Sequence, residues 1–196
     1  MALPQPLLDF IGPPLAPPVP PDWDLIAGSL GTGLPADYME LAETYPMLKL
    51  GDWLLIAHPS VPPPDHDVDN LSTLQQWALQ SRFVTDRQVR ELHIHDPATG
   101  RTHVRPLPQN TLPYPAYPEP EGLMAWGSAE ERGTWCWHTR GHPDSWTVVI
   151  VDSDMAWEYL GTTTQLLSDV ATGQADSPLI PASLARCGSW TEQFLV

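Results

Sequence analysis

Basic residues are scarce. The chain holds nine Lys and Arg, of which only Lys49 is lysine, against 24 Asp and Glu, for a net charge of −15. Sequence-independent affinity for DNA or RNA rests on Lys and Arg facing phosphates, so this balance argues against nucleic acid as a partner. The same shortage leaves no basic stretch for an anionic membrane surface. Cysteine is nearly absent. Cys136 and Cys187 cannot build a disulfide framework, and two free buried thiols in a reducing compartment are expected. No apolar run approaches the ~20 residues of a membrane span. The start of the chain has no basic region and carries eight prolines by residue 21, which does not fit a signal peptide. Together these absences predict a cytoplasmic protein.

What is present supports a packed fold. The 196 residues are 42% hydrophobic, enough for one domain with a sizeable core. Proline, at 24 residues, marks the joints. Residues 1–21 read as a Pro-rich N-terminal arm, extended, whose patch at 7–11 can dock on the body or on a partner. Residues 22–196 form the domain, with a stiff Pro-rich loop at 106–121 and a C-terminal extension at 174–196. Loops of that length are often functional.

Between the joints, hydrophobic spacing gives the elements. Trp23, Ile26, Ala27 and Leu30 predict a short helix between an Asp22 cap and Gly31. Pro35 suits the first position of a second helix carrying Tyr38, Leu41, Ala42 and Tyr45, stopped by Pro46. A third helix is expected after Asn70 or Ser72, with Leu74, Trp77 and Ala78 inward. Strands are expected at 53–57, 92–95, 102–105, 123–126, 134–138 and 146–151, the second and third forming a hairpin around Asp96-Pro97-Ala98-Thr99-Gly100. Thr162 or Thr163 caps a closing helix that ends at Gly173. The class is therefore α+β, with helices packed on a mostly antiparallel central sheet in a single domain.

Motifs for chemistry are few. Gly31-Thr32-Gly33-Leu34-Pro35-Ala36 has glycine spacing seen in dinucleotide sites, but it follows a helix where such sites follow a strand. Asp65, Asp67 and Asp69 resemble half of a calcium loop, yet Asn70 and Gln76 stand where that loop needs Gly and Glu. His93, His95 and Asp96 contain metal-ligand chemistry, although Asp96 points to the other strand face or into the turn. Cys136 and His138 share a strand face as a nucleophile and base would, without a visible orienting group or oxyanion hole. No catalytic residue, metal site or cofactor site is assigned, and the protein is expected not to be an enzyme.

Charge says more. Residues 1–81 sum to −9 (ten acids, Lys49), 82–105 to +2 (three acids, five arginines) and 106–196 to −8 (eleven acids, three arginines). An acidic surface with one basic island fits docking to a basic protein, with fast and salt-sensitive association. Tryptophan, at nine residues, adds material for an apolar anchor.

Several motifs, in order over residues 22–173, resemble one family. Leu30-Gly31-Thr32-Gly33-Leu34-Pro35-Ala36-Asp37-Tyr38 resembles the opening of the SUKH superfamily, the Smi/Knr type. Gly122-Leu123-Met124-Ala125-Trp126-Gly127 resembles its central strand. Gly133-Thr134-Trp135-Cys136-Trp137, followed by Pro143-Asp144-Ser145-Trp146-Thr147-Val148-Val149, resembles its hairpin. Trp157-Glu158 and residues 163–173 are similar to its closing segment and helix. The chain departs at Ala125, where Pro is common, and at Glu131-Arg132-Gly133, where Asn or Asp precedes Gly. The resemblance implies an α+β fold and a role in binding. Bacterial members are immunity proteins that block a cognate toxin domain, often a nuclease, and fungal members are regulatory interaction proteins. The expected function is thus a non-catalytic, immunity-type protein that occludes a basic toxin domain. Glu130, Glu131, Asp144, Asp152, Asp154 and Glu158 would supply the charge and Trp126 the apolar contact. The alternatives are a cytoplasmic regulator or scaffold on the same fold, and a metal-dependent enzyme using His93, His95 and Asp96.

Overall fold

The computed structural model describes residues 2–15, 20–51, 53–59, 89–108, 113–129, 133–152, 154–181, 184 and 191–194. Four α-helices and nine strands lie within them: α1 (Gln5–Ile11), α2 (Trp23–Leu30), α3 (Ala36–Thr44), β1 (Met47–Leu50), β2 (Leu54–Ile56), β3 (Glu91–Asp96), β4 (Arg101–Pro106), β5 (Leu123–Ala129), β6 (Thr134–His138), β7 (Thr147–Val151), β8 (Met155–Tyr159), α4 (Thr163–Thr172) and β9 (Thr191–Phe194). The expected helix around 74–78 and the acidic loop at 65–69 fall outside the described residues.

The strands form one sheet in the order β4-β3-β8-β7-β6-β5-β2-β1-β9. Every neighbouring pair is antiparallel except β3 with β8, which run parallel from Glu91↔Met155 to His95↔Tyr159. The α+β class and the mostly antiparallel sheet are as the sequence predicts. The antiparallel strand at Val148–Val151 is wholly buried inside the sheet, as its apolar run requires.

Strand alternation divides the sheet into two faces. On one lie Trp135, Trp137, Trp157 and Tyr159, of which Trp137 and Tyr159 bond to α4 through Thr163 and Asp169. Tyr38 of α3 packs edge-on against Trp137 at 4.8 Å, and the Trp137 indole N–H donates to Thr163 Oγ1 at 2.8 Å. Helix α4 packs against α1, α3 and β7. Trp126 stacks on Trp137 at 5.8 Å and is completely buried. The expected surface role of Trp126 is thereby corrected: a ring enclosed by other tryptophans offers nothing to a partner.

Helix ends follow the capping signals. Asp22 caps α2 by accepting from the Leu25 N–H at 3.0 Å, and Gly31 closes it in the left-handed region at φ +77°. Thr162 caps α4, and Gly173 ends it with φ +71°. Pro35 precedes α3 instead of opening it. Its own side chain offers no acceptor, so Asp144, from the turn before β7, accepts from the Ala36 N–H at 2.8 Å. Asp37 is buried and does the same for α4, accepting from the Thr164 N–H at 2.7 Å and the Thr164 hydroxyl at 3.1 Å.

The N-terminal arm is not simply extended. Residues 5–11 form α1, which buries Leu7 and Ile11 in the core. Tyr45 donates its hydroxyl to the Gly12 carbonyl at 2.8 Å. Gln193 of β9 clasps the segment that follows, accepting from Leu15 N–H at 2.8 Å and donating to the Pro13 carbonyl at 3.0 Å. The spacing of two apolar residues four apart makes one helical stripe, and that stripe needs a surface to cover it.

Candidate functional site

The sheet face away from α3 and α4 carries a cavity of about 700 Å³. Its floor comes from strand alternation. Glu158 lies between Trp157 and Tyr159, so when those rings point to the helices its carboxylate points the other way. His138 ends β6 on the same side, paired in register with Thr147, which lies in β7 two residues before Val149, the partner of Glu158.

Three donors converge on the Glu158 carboxylate. Oε1 accepts from the Thr147 hydroxyl at 2.7 Å and from His138 Nδ1 at 3.3 Å; Oε2 accepts from the Tyr114 hydroxyl at 2.5 Å. Glu158 is only 4% exposed. Burial alone would raise its pKa, but the hydrogen bonds from His138, Tyr114 and Thr147 together outweigh that and hold it below the ordinary carboxylate value. The Tyr114 hydroxyl is pushed well up, first by burial, then by its hydrogen bond to Glu158 and the carboxylate charge. The Tyr114 ring stacks on His138 at 3.8 Å.

With Nδ1 facing a carboxylate, the imidazole carries its proton there, which leaves Nε2 as the free position. That atom is buried and has no hydrogen-bond partner. Two guanidiniums complete the wall. Arg105 comes from β4, and Arg140, just past β6, lies 3.8 Å from the Glu121 carboxylate. Ile94 and Leu160 supply apolar lining, Leu160 being 44% exposed.

A histidine oriented by a carboxylate is half of an acid–base apparatus. The other half would be a hydroxyl or thiol on Nε2, and among the described residues none is there. Cys136 is no substitute, since burial pushes its thiol far up and out of the nucleophilic range.

The other expected positions are dispersed. Asp144 is the α3 cap, also 3.6 Å from the His142 ring. Asp152 and exposed Asp154 flank the β7–β8 turn, where the Asp154 carbonyl accepts from the Arg90 N–H at 2.7 Å. Glu130 and Glu131 lie outside the described residues. Of the expected partner residues that are described, Glu158 alone lines the cavity. His93, His95 and Asp96 do not converge. His93 Nε2 meets Glu91 at 3.1 Å, and His95 Nδ1 meets the Thr102 hydroxyl at 2.9 Å. Asp96 ties the hairpin turn through Ala98 and Thr99. Among the described residues no three such side chains are grouped to hold a metal ion.

No family model, curated protein or solved structure matches this chain. The cavity residues therefore stand on geometry. Tyr114, Thr147, Arg105 and Arg140 were not singled out by motif. The available signal was one carboxylate between two aromatic residues in a strand, which places an acid opposite a buried face.

Proposed function

We propose that the chain is an immunity-type protein of the SUKH kind, without catalytic activity, that blocks a basic protein toxin by covering its surface with carboxylates. The observation that carries this reading is the uneven spread of charge. No Lys or Arg occurs between residues 2 and 48, and Asp9, Asp22, Asp24 and Glu43 are exposed on or beside α1, α2 and α3. The exposed arginines among the described residues are Arg90, Arg101, Arg105 and Arg140, gathered around β3, β4 and the end of β6. A basic partner meets attraction at the helices and repulsion at the hairpin, which fixes its orientation as well as its rate of arrival. Asp144, Asp152 and Asp154 extend the carboxylates along the turns between strands.

The test is capture of a partner by the tagged chain from its native lysate, followed by co-expression of the captured protein with and without the chain. A single basic protein, bound one to one, whose toxicity is relieved by the chain supports the reading. Affinity is expected to fall at least about tenfold between 50 and 500 mM salt. Several weak partners, or a captured protein whose toxicity is unrelieved, sinks the reading and favours a regulator on the same fold.

A further inference from the structure

We propose that the cavity on the sheet face opposite α3 and α4 binds a small organic monoanion, a carboxylate carried on an apolar body. This does not depend on the toxin-blocking reading, which uses the opposite, acidic side of the molecule.

Four observations carry it. A volume of about 700 Å³ falls within the size of small-molecule sites. In a chain of charge −15, two of the nine basic residues face this one space. Arg105 makes no ion pair among the described residues, so its fork of donors is free for a carboxylate. His138 is 6% exposed, lines the cavity, and holds Nε2 without a partner. With the ring proton on Nδ1, Nε2 is an acceptor, so it takes a hydroxyl or N–H on the body of the ligand and leaves the carboxylate to the guanidiniums.

The counter-charges narrow the class. Glu121 pairs with Arg140 and Glu158 is engaged by its own donors, which leaves the Arg105 guanidinium for the ligand, a match for a single carboxylate. A cation is disfavoured: two guanidiniums oppose it, and the Glu158 oxygens are already taken up by Thr147, His138 and Tyr114. Ile94 and Leu160 give an apolar body something to cover, and Leu160 is otherwise left in water.

Benzoate, benzamide and benzylamine, which share a ring and differ in charge, serve as probes. Each is titrated into the ¹⁵N-labelled full chain and followed by two-dimensional NMR. Saturable shifts with benzoate, centred on residues 94, 105, 114, 138–147 and 158–160, are expected, with benzamide at least about tenfold weaker and benzylamine not binding. Arg105→Gln and Arg140→Gln are each expected to weaken benzoate at least fivefold while leaving the spectrum outside the cavity unchanged. Arg105 and Arg140 are exposed, so neither change removes core packing. The proposal is overturned by any of three results: no saturable benzoate shift below about 10 mM, equal binding of the three probes, or arginine variants that bind as the parent does.

Discussion

Glu158 is ionised inside the protein because three donors face it, and that ties its titration to stability. Its pKa is lower folded than unfolded, so the stabilisation is complete above the ordinary value of 4.5 and is lost as pH falls through the folded value. Glu158→Gln keeps the shape and removes the charge. The variant is expected to be about 2 kcal/mol less stable at pH 7 in urea titrations, with the gap to the parent closing below about pH 4.5. Asp96 is also held low, by the Thr99 hydroxyl and the Ala98 N–H, and contributes acid sensitivity in both proteins; the difference between them isolates Glu158. At this scale the sequence was partly legible. Glu158 stood out as an acid, but its depth depends on β8, and a five-residue strand ending in an acid and a tyrosine carries little pattern of its own. Trp126 misled for a related reason: nine tryptophans look like surplus until the sheet shows how many of them touch one another.

Elements here are closed by residues far along the chain. Asp144 satisfies the first N–H of α3 across more than a hundred residues, so the turn before β7 and the start of α3 hold each other in place. Asp144→Ala is expected to cost about 1 kcal/mol, measured by thermal or urea unfolding, and Asp144→Asn to retain most of that. The loop at 113–121 is set by close approach. A Cβ on Gly122 would lie 2.6 Å from the Tyr117 N and 2.7 Å from the Glu119 carbonyl, so only glycine fits where the loop returns into β5. Tyr117 anchors the same loop by donating to the Leu30 carbonyl, and so brings Tyr114 onto His138. Helices α2, α3 and α4 and the β3–β4 hairpin were readable, because caps, 3.6-residue spacing and an Asp-to-Gly turn are local signals. β1, β8, β9 and α1 were not. Each is short, and its state is decided by what it packs against.

For the whole molecule, the class and the charge were legible while the topology was not. Nothing local says that β3 lies beside β8, or that the arm returns to β9. That return has a measurable weight. Leu7 is fully buried although it stands near the start of the chain, and Leu7→Ala is expected to lower stability by about 2–3 kcal/mol in urea unfolding, as a core leucine does. A terminal segment that merely rested on the body would show no such loss.

The parallel pairing of β3 with β8 also makes a seam between two distant parts of the chain. The β3–β4 hairpin closes on its own turn at residues 97–100. It joins the rest of the sheet through β8, which stands much later in the chain and pairs with β7 on its other edge. The cavity straddles that seam, with Arg105 and Ile94 on the hairpin side and His138, Thr147 and Glu158 on the other. Its two walls are therefore held together by one ladder of backbone pairs, and parting β3 from β8 would take the cavity apart while leaving the hairpin whole.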